Sequence, residues 1–263
     1  MQSKIREAIK MKYSPVALLW SDDKPEDALE FKEGRWGCVM SLLTSAAKGR
    51  VAVAGRATVG CGGGTSGLGF GSAYDHIPGG IEHFLSNGNP EYCNTEEGRR
   101  AAEARPDLLH GERYIKTPEL ARKFVESLPI VDIPKKYVVF KPIEQVADDE
   151  EPKVIIFLVN PDQLSALIVL ANYDRETVDN VIAPMGAGCH QIGIYAYKEA
   201  ESVHPRAIIG LTDLSARKIT DRAVGRDILS LSVPFSMYRE MEDNVEGSFL
   251  QRDTWASVLE YME

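Results

Sequence analysis

The sequence is poor in cysteine and lacks the pairings that usually reveal what cysteine does. Four occur in 263 residues, Cys38, Cys61, Cys93 and Cys189, and no two form a CxxC pair. The compact zinc and ferredoxin spacings are therefore absent. No apolar run approaches the roughly 18 residues that a membrane span needs. The N-terminal MQSKIREAIKMKY is charged and helix-like, without the apolar centre of a signal peptide. A cytoplasmic location is expected, where such cysteines are thiols or metal ligands more readily than disulfides. Positive charge is in deficit: Lys plus Arg is 30 against 39 Asp plus Glu, a formal charge of -9. That argues against a partner recognised by neutralising phosphates, whether nucleic acid or an anionic membrane surface.

What is present is an ordinary globular composition, 44% hydrophobic and 26% charged. The chain is long enough to bury a large core without staples. PVALLW (15–20), VAVAG (51–55), YVVFKPI (137–143), KVIIFLVN (153–160), RAIIGL (206–211) and ILSLSVPF (228–235) read as strands. Helices are expected over 3–12, over Cys38–Ala47 and from Thr117 as N-cap, with Pro118 first in the helix, to about Ser127. Further helices are expected after Pro161, from His190 to Glu201, and in the C-terminal MYREMEDNVE and TWASVLEYM. Asp213, Arg217, Asp221 and Arg222 are expected in a polar loop.

A weak repeat runs through the chain. PVALLWSDDKP resembles KVIIFLVNPDQ, and each is followed by a glycine turn, a cysteine, a helix and a small-residue apolar strand. The expected architecture is α/β, or α+β, with a mixed sheet. It would be one compact domain, 1-263, made of two similar halves, 1-145 and 152-263, related by a pseudo-two-fold axis.

Three of the cysteines have informative neighbours. Cys38 follows Gly37 and Cys189 follows Gly188, each at an expected helix N-terminus, where N–H groups and the helix dipole favour a thiolate. Cys61 lies between Gly60 and Gly62, where backbone can approach a bulky ligand and donate to sulfide or an anion. Across a pseudo-two-fold, Cys38 and Cys189 would face each other, with Cys61 close to Cys38. Cys93, in the polar PEYCNTEE, could reach in as a fourth ligand. Four thiolates without CxxC fit an iron–sulfur cluster better than a zinc finger. The plain alternative is that each cysteine is a small buried hydrophobe.

The stretch Gly62-x-Gly64-x-x-Gly67 has the spacing of a dinucleotide fingerprint but not its context. A helix of about ten residues should follow, and Leu68-Gly69-Phe70-Gly71 prevents it. Gly62, Gly63 and Gly64 are expected instead to cradle a cofactor or an anion. Of the five histidines, His190 is the one to watch, as a donor behind a bound centre or as a base for a thiol nucleophile. Asp75-His76 is a weaker candidate of that kind. Arg217 or Arg222 could pair with an anionic substrate, and Trp36 and Phe70 could wall a site.

The combination GCVMSLLTSAAKGRVAVAG, CGGGTSGLGFG, YVVFKPIE, PKVIIFLVNPDQLSALI and GAGC resembles the prokaryotic family called domain of unknown function 169. The resemblance covers roughly residues 5–240. It implies that Cys38, Cys61, Gly63, Gly64, Gly69-Phe70 and Pro142-Ile143-Glu144 belong to a family pattern. It implies no function.

The leading expectation is a cytoplasmic iron–sulfur protein of the 4Fe–4S kind. Cys38, Cys61, Cys189 and Cys93 would be ligands, and the role electron transfer or reduction of a small molecule. The competing expectations are a metal-free protein whose glycine loop binds an anionic ligand, and a thiol enzyme using Cys61 or Cys189. A small molecule or a redox protein is the expected partner, with no nucleic acid and no membrane. A homodimer is expected from size alone.

Overall fold

A computed structural model describes residues 1–261. The strands are β1 (Val16–Ser21), β2 (Leu29–Glu30), β3 (Ala52–Gly55), β4 (Tyr137–Pro142), β5 (Val154–Val159), β6 (Val181–Ile182), β7 (Ala207–Gly210) and β8 (Leu229–Pro234). The helices are α1 (Lys4–Ala8), α2 (Val39–Ala47), α3 (Gly62–Gly67), α4 (Ile81–Leu85), α5 (Pro90–Cys93), α6 (Glu96–Ala104), α7 (Asp107–His110), α8 (Pro118–Glu126), α9 (Pro161–Ala171), α10 (Gly188–Ile192), α11 (Ile194–Ala200), α12 (Leu214–Val224), α13 (Phe235–Asp243) and α14 (Asp253–Glu260).

All eight strands join one mixed sheet in the order β2-β3-β4-β1-β5-β8-β7-β6. Among the described residues only β2·β3 and β6·β7 pair in parallel. The protein is therefore α/β, as expected from the sequence. Outward from the central β1·β5 pair the order reads β1-β4-β3-β2 one way and β5-β8-β7-β6 the other. Residues 1-145 thus hold β1 to β4, and residues 152-263 hold β5 to β8.

The chain divides into two compact units: Met1–Phe70 with Ile133–Glu263, and Gly71–Asp132. The first holds the sheet. The second holds α4 to α8 and has the capped start foreseen for α8, with Thr117 accepting a hydrogen bond from the Leu120 N–H.

The side-chain alternation of the strands decides the layers. One sheet face buries Ala17, Leu19, Ile155, Phe157, Leu231 and Val233 against Ile5, Leu167, Met237 and Tyr238 from α1, α9 and α13. Leu18, Phe140 and Ile156, at the alternate positions, are fully buried as well. On that second side α2 packs on β3 and β4, and α10 and α11 pack on β7 and β8. β5 is buried along its whole length, so it reads as an unbroken apolar run instead of an alternating one.

Two sequence expectations are corrected. Residues 214–224 form a helix where a polar loop was expected. Asp213 caps it by accepting from the Ser215 N–H, and Ala216, Thr220 and Val224, spaced by four, are its buried stripe. The helix expected from His190 onward is broken at Gly193 (φ -114, ψ -101) into α10 and α11.

Candidate thiol site

Three chain segments bring their cysteines to helix starts. Cys38 is the N-cap of α2, Cys61 is the N-cap of α3, and Cys189 lies in the first turn of α10. α3 is glycine at four of its six positions, which opposes helix formation by local propensity. Packing overrides it. A Cβ at Gly64 would lie 2.9 Å from Val39 Cγ2 and 3.0 Å from Val59 Cγ1. One at Gly67 would lie 2.7 Å from the carbonyl carbon of Cys189. Glycine lets α3 lie directly against α10, and this contact carries Cys61 to Cys189.

Gly63 marks the centre of the site. An ideal Cβ there would lie 3.8 Å from Cys189 Sγ and 4.0 Å from Cys61 Sγ. The Cys189 thiol donates to the Gly63 carbonyl oxygen at 2.9 Å. Cys38 is the third member: it is the N-cap of α2 and lies close enough to Cys61 and Asp213 to feel their charge. Asp213 completes the group from α12. Its Oδ2 accepts from the Gly188 N–H at 3.1 Å, beside Cys189.

Burial decides the protonation state, and it corrects the expectation that helix N-termini would make these groups thiolates. Burial pushes the Cys38 thiol up to about 11, helped by repulsion from Cys61 and Asp213. It pushes the Cys189 thiol well above the ordinary range, with repulsion from Cys61, Cys38 and Asp213 adding to it. The N-terminal dipole, about half a unit charge, does not offset the loss of water. A proton, or a cation in its place, is needed to keep these sulfurs where they are.

This gives a pH dependence. A thiol raised in the fold keeps its proton while the unfolded chain gives it up. Unfolding therefore releases protons above the ordinary thiol value, and stability falls as pH rises. The metal-free protein is expected to lose stability between about pH 9 and about pH 11. Urea midpoints across that window should fall for the wild type and fall less for Cys38→Ala. A flat wild-type profile would contradict the burial argument.

Each of the other sequence candidates has its own surroundings. Cys93 is buried in α5, in the second compact unit. His190 is buried in α10, set edge-on to the Tyr195 ring at 6.1 Å, and burial lowers it to about 4, so it is neutral. Arg217 donates to the carbonyls of Leu211 (3.2 Å), Ile228 (3.4 Å) and Arg226. It ties down the two ends of α12. Trp36 is 69% exposed, and Phe70 is buried under the Arg56 guanidinium at 5.0 Å. Two clefts, of about 330 and 690 Å³, open beside the N-terminal residues and around Arg175 and Lys198, and neither is lined by cysteine.

Asp213 is the site residue that sequence reasoning missed. The signal was there: AVAG, then Cys61 opening a helix in the first half, is matched by AIIG, then Asp213 opening a helix in the second. Among the described residues no three of His, Cys, Asp and Glu stand close enough to hold a single metal ion. Also among the described residues, no helix is long and apolar enough to cross a membrane.

The fold and the site define an α/β protein with thiols gathered at helix starts on one side of a mixed sheet. The chain belongs to domain of unknown function 169, described as uncharacterised ArCR, which matches residues 4–244. No curated protein and no solved structure matches it.

Proposed function

We propose that this is a cytoplasmic iron–sulfur protein whose cluster is held by Cys38, Cys61 and Cys189 and used to reduce, or pass electrons to, a small molecule. The observation that carries the reading is the convergence of Cys61 and Cys189 on Gly63, with Cys38 within electrostatic reach of both. Three thiols from distant segments, one buried and two half-buried beside a carboxylate, repel one another once ionised. Cationic iron removes that penalty. Cysteines without a CxxC pair fit a cluster better than a zinc finger. The N–H groups at the start of α3 would donate to cluster sulfur, which tunes its potential.

Loading requires Cys189 to release its hydrogen bond to Gly63 and each thiol to lose its proton. A thiol-enzyme reading finds less support. His190 is neutral and the Cys189 thiol is raised, whereas a nucleophile needs a lowered one.

The test is anaerobic purification of the full chain with iron, acid-labile sulfide and visible absorption measured together. The wild type is expected to show a broad band near roughly 400 nm and about four irons per chain. Cys38→Ser, Cys61→Ser and Cys189→Ser should each lose most of the iron while keeping the far-UV spectrum of the fold. A colourless wild type with four titratable thiols, before and after anaerobic reconstitution, would overturn the proposal. So would full iron in all three variants.

A further inference from the structure

We propose that Asp213 is the fourth ligand of the thiol site, supplying a carboxylate oxygen to the iron that the three cysteines leave uncovered. The inference rests on the cluster reading above and says which residue completes it.

Topology places Asp213 where a fourth donor belongs. In the first half, α2 lies between β2 and β3 and α3 follows β3. In the second, α10 and α11 lie between β6 and β7 and α12 follows β7. The helices contact each other crosswise, α2 with α12 and α3 with α10. Their starts carry one donor each: Cys38, Cys61, Cys189 and Asp213. Asp213 occupies in its half the place that Cys61 occupies in the other.

Close contacts fix the position. Asp213 Oδ2 accepts from the Gly188 N–H at 3.1 Å, and Oδ1 accepts from the Ser215 N–H at 2.8 Å. A Cβ on Gly188 would lie 3.2 Å from Met40 Sδ and 3.3 Å from Ala216 Cβ. The first turns of α2, α10 and α12 therefore touch at Gly188, next to Cys189 and two residues from the Cys38 cap of α2. Each carboxylate oxygen has two acceptor sites, and one N–H occupies one of them. A site on each oxygen is left, and the two N–H donors hold the carboxylate in place.

The carboxylate opposes ionisation of the neighbouring thiols, and a cation lying among them removes that opposition. An oxygen ligand is also held less tightly than thiolate by the iron of a thiolate cluster. Asp213 is half-buried and its neighbour Leu214 is exposed. That corner is open to a small molecule, as the half-buried Cys38 and Cys61 are. The substrate class is then a small molecule with an anionic or hydroxyl oxygen, which displaces Asp213 and is polarised by the iron.

The test compares wild type, Asp213→Asn, Asp213→Ala, Asp213→Cys and Cys93→Ser after anaerobic reconstitution with iron and sulfide. Asn caps a helix as well as Asp, so Asp213→Asn separates lost ligation from lost folding. Wild type should show one iron distinct from the rest in its Mössbauer spectrum. Asp213→Asn and Asp213→Ala should lose that iron on mild oxidation, giving about three irons per chain and the paramagnetic signal of a three-iron cluster. Asp213→Cys should make all irons alike and resist the loss. Cys93→Ser should match wild type. Four irons retained in Asp213→Ala with an unchanged spectrum, or loss of the distinct iron in Cys93→Ser, would overturn the assignment and leave the cluster reading standing. Failure of wild type itself to take up iron and sulfide would overturn both.

Discussion

Gly193→Ala is expected to destabilise the protein by about 3 kcal/mol or more, or to prevent folding, which places it among the most damaging single-methyl additions available. Gly193 is the break between α10 and α11. A Cβ there would overlap the Gly67 carbonyl oxygen and lie 3.0 Å from the Cys189 carbonyl oxygen. Both obstacles are backbone, so no rotamer change relieves the clash. The backbone cannot easily withdraw either. The Gly193 N–H donates to Cys189 at 3.1 Å, and its carbonyl accepts from Tyr197 at 2.8 Å. Gly225→Ala is the control. It closes α12 at φ +102 with nothing within 4 Å of its Cβ position. Its cost is backbone strain alone, about 1–2 kcal/mol. Urea denaturation of both variants makes the comparison. A Gly193→Ala midpoint equal to that of Gly225→Ala would mean that α3 and α10 do not meet as closely as described. Iron content should fall along with stability in Gly193→Ala, because the Gly67–Gly193 contact is what holds Cys61 beside Cys189.

That contact shows why part of the protein was legible in the sequence and part was not. The six longer strands were readable because each is an apolar run closed by turn residues, and periodicity and punctuation are local signals. The starts of α8 and α9 were readable for the same reason. Thr117-Pro118 is a local cap, and Asn160 and Gln163 form a reciprocal capping box. Cys38 as the opening residue of α2 was readable from Gly37 and the apolar spacing after it. The short parallel edges β2 and β6 were not, since two residues carry no period. α12 was missed because its charged residues dominate the segment and its buried face is only Ala216, Thr220 and Val224. α3 was unreadable in principle. A run of glycines has no helical propensity, and it is helical here because α10 leaves room for nothing larger. The site divides along the same line. Glycine-flanked cysteines pointed to Cys38, Cys61 and Cys189, but nothing local ranks Asp213 above the other acids. Its place beside Cys189 follows from where β7 lies in the sheet, which is a property of the whole fold.

Gly63→Ala is expected to do the reverse of Gly193→Ala: to leave the fold intact and remove the iron. Its Cβ would meet only sulfur, at 3.8 Å from Cys189 and 4.0 Å from Cys61, which is ordinary van der Waals contact. In a helix, alanine is favoured over glycine by about 0.5–1 kcal/mol. The metal-free variant should therefore be as stable as wild type or slightly more so. The added methyl stands between the two sulfurs that the proposed cluster must share, and it excludes the iron that would lie there. Iron and sulfide retained after anaerobic reconstitution should fall at least about tenfold. Gly64→Ala separates the two effects. Its Cβ would press on Val39 and Val59 at 2.9 and 3.0 Å and meet Cys61 only at its Cβ, at an ordinary 3.5 Å, so its cost falls mainly on packing. Loss of iron without loss of stability in Gly63→Ala, with the opposite balance in Gly64→Ala, would locate the cofactor between Cys61 and Cys189. A Gly63→Ala protein that kept its full iron would show that the sulfurs do not close around that point. The thiols would then lie side by side for packing, kept protonated by the burial that raises Cys38 and Cys189.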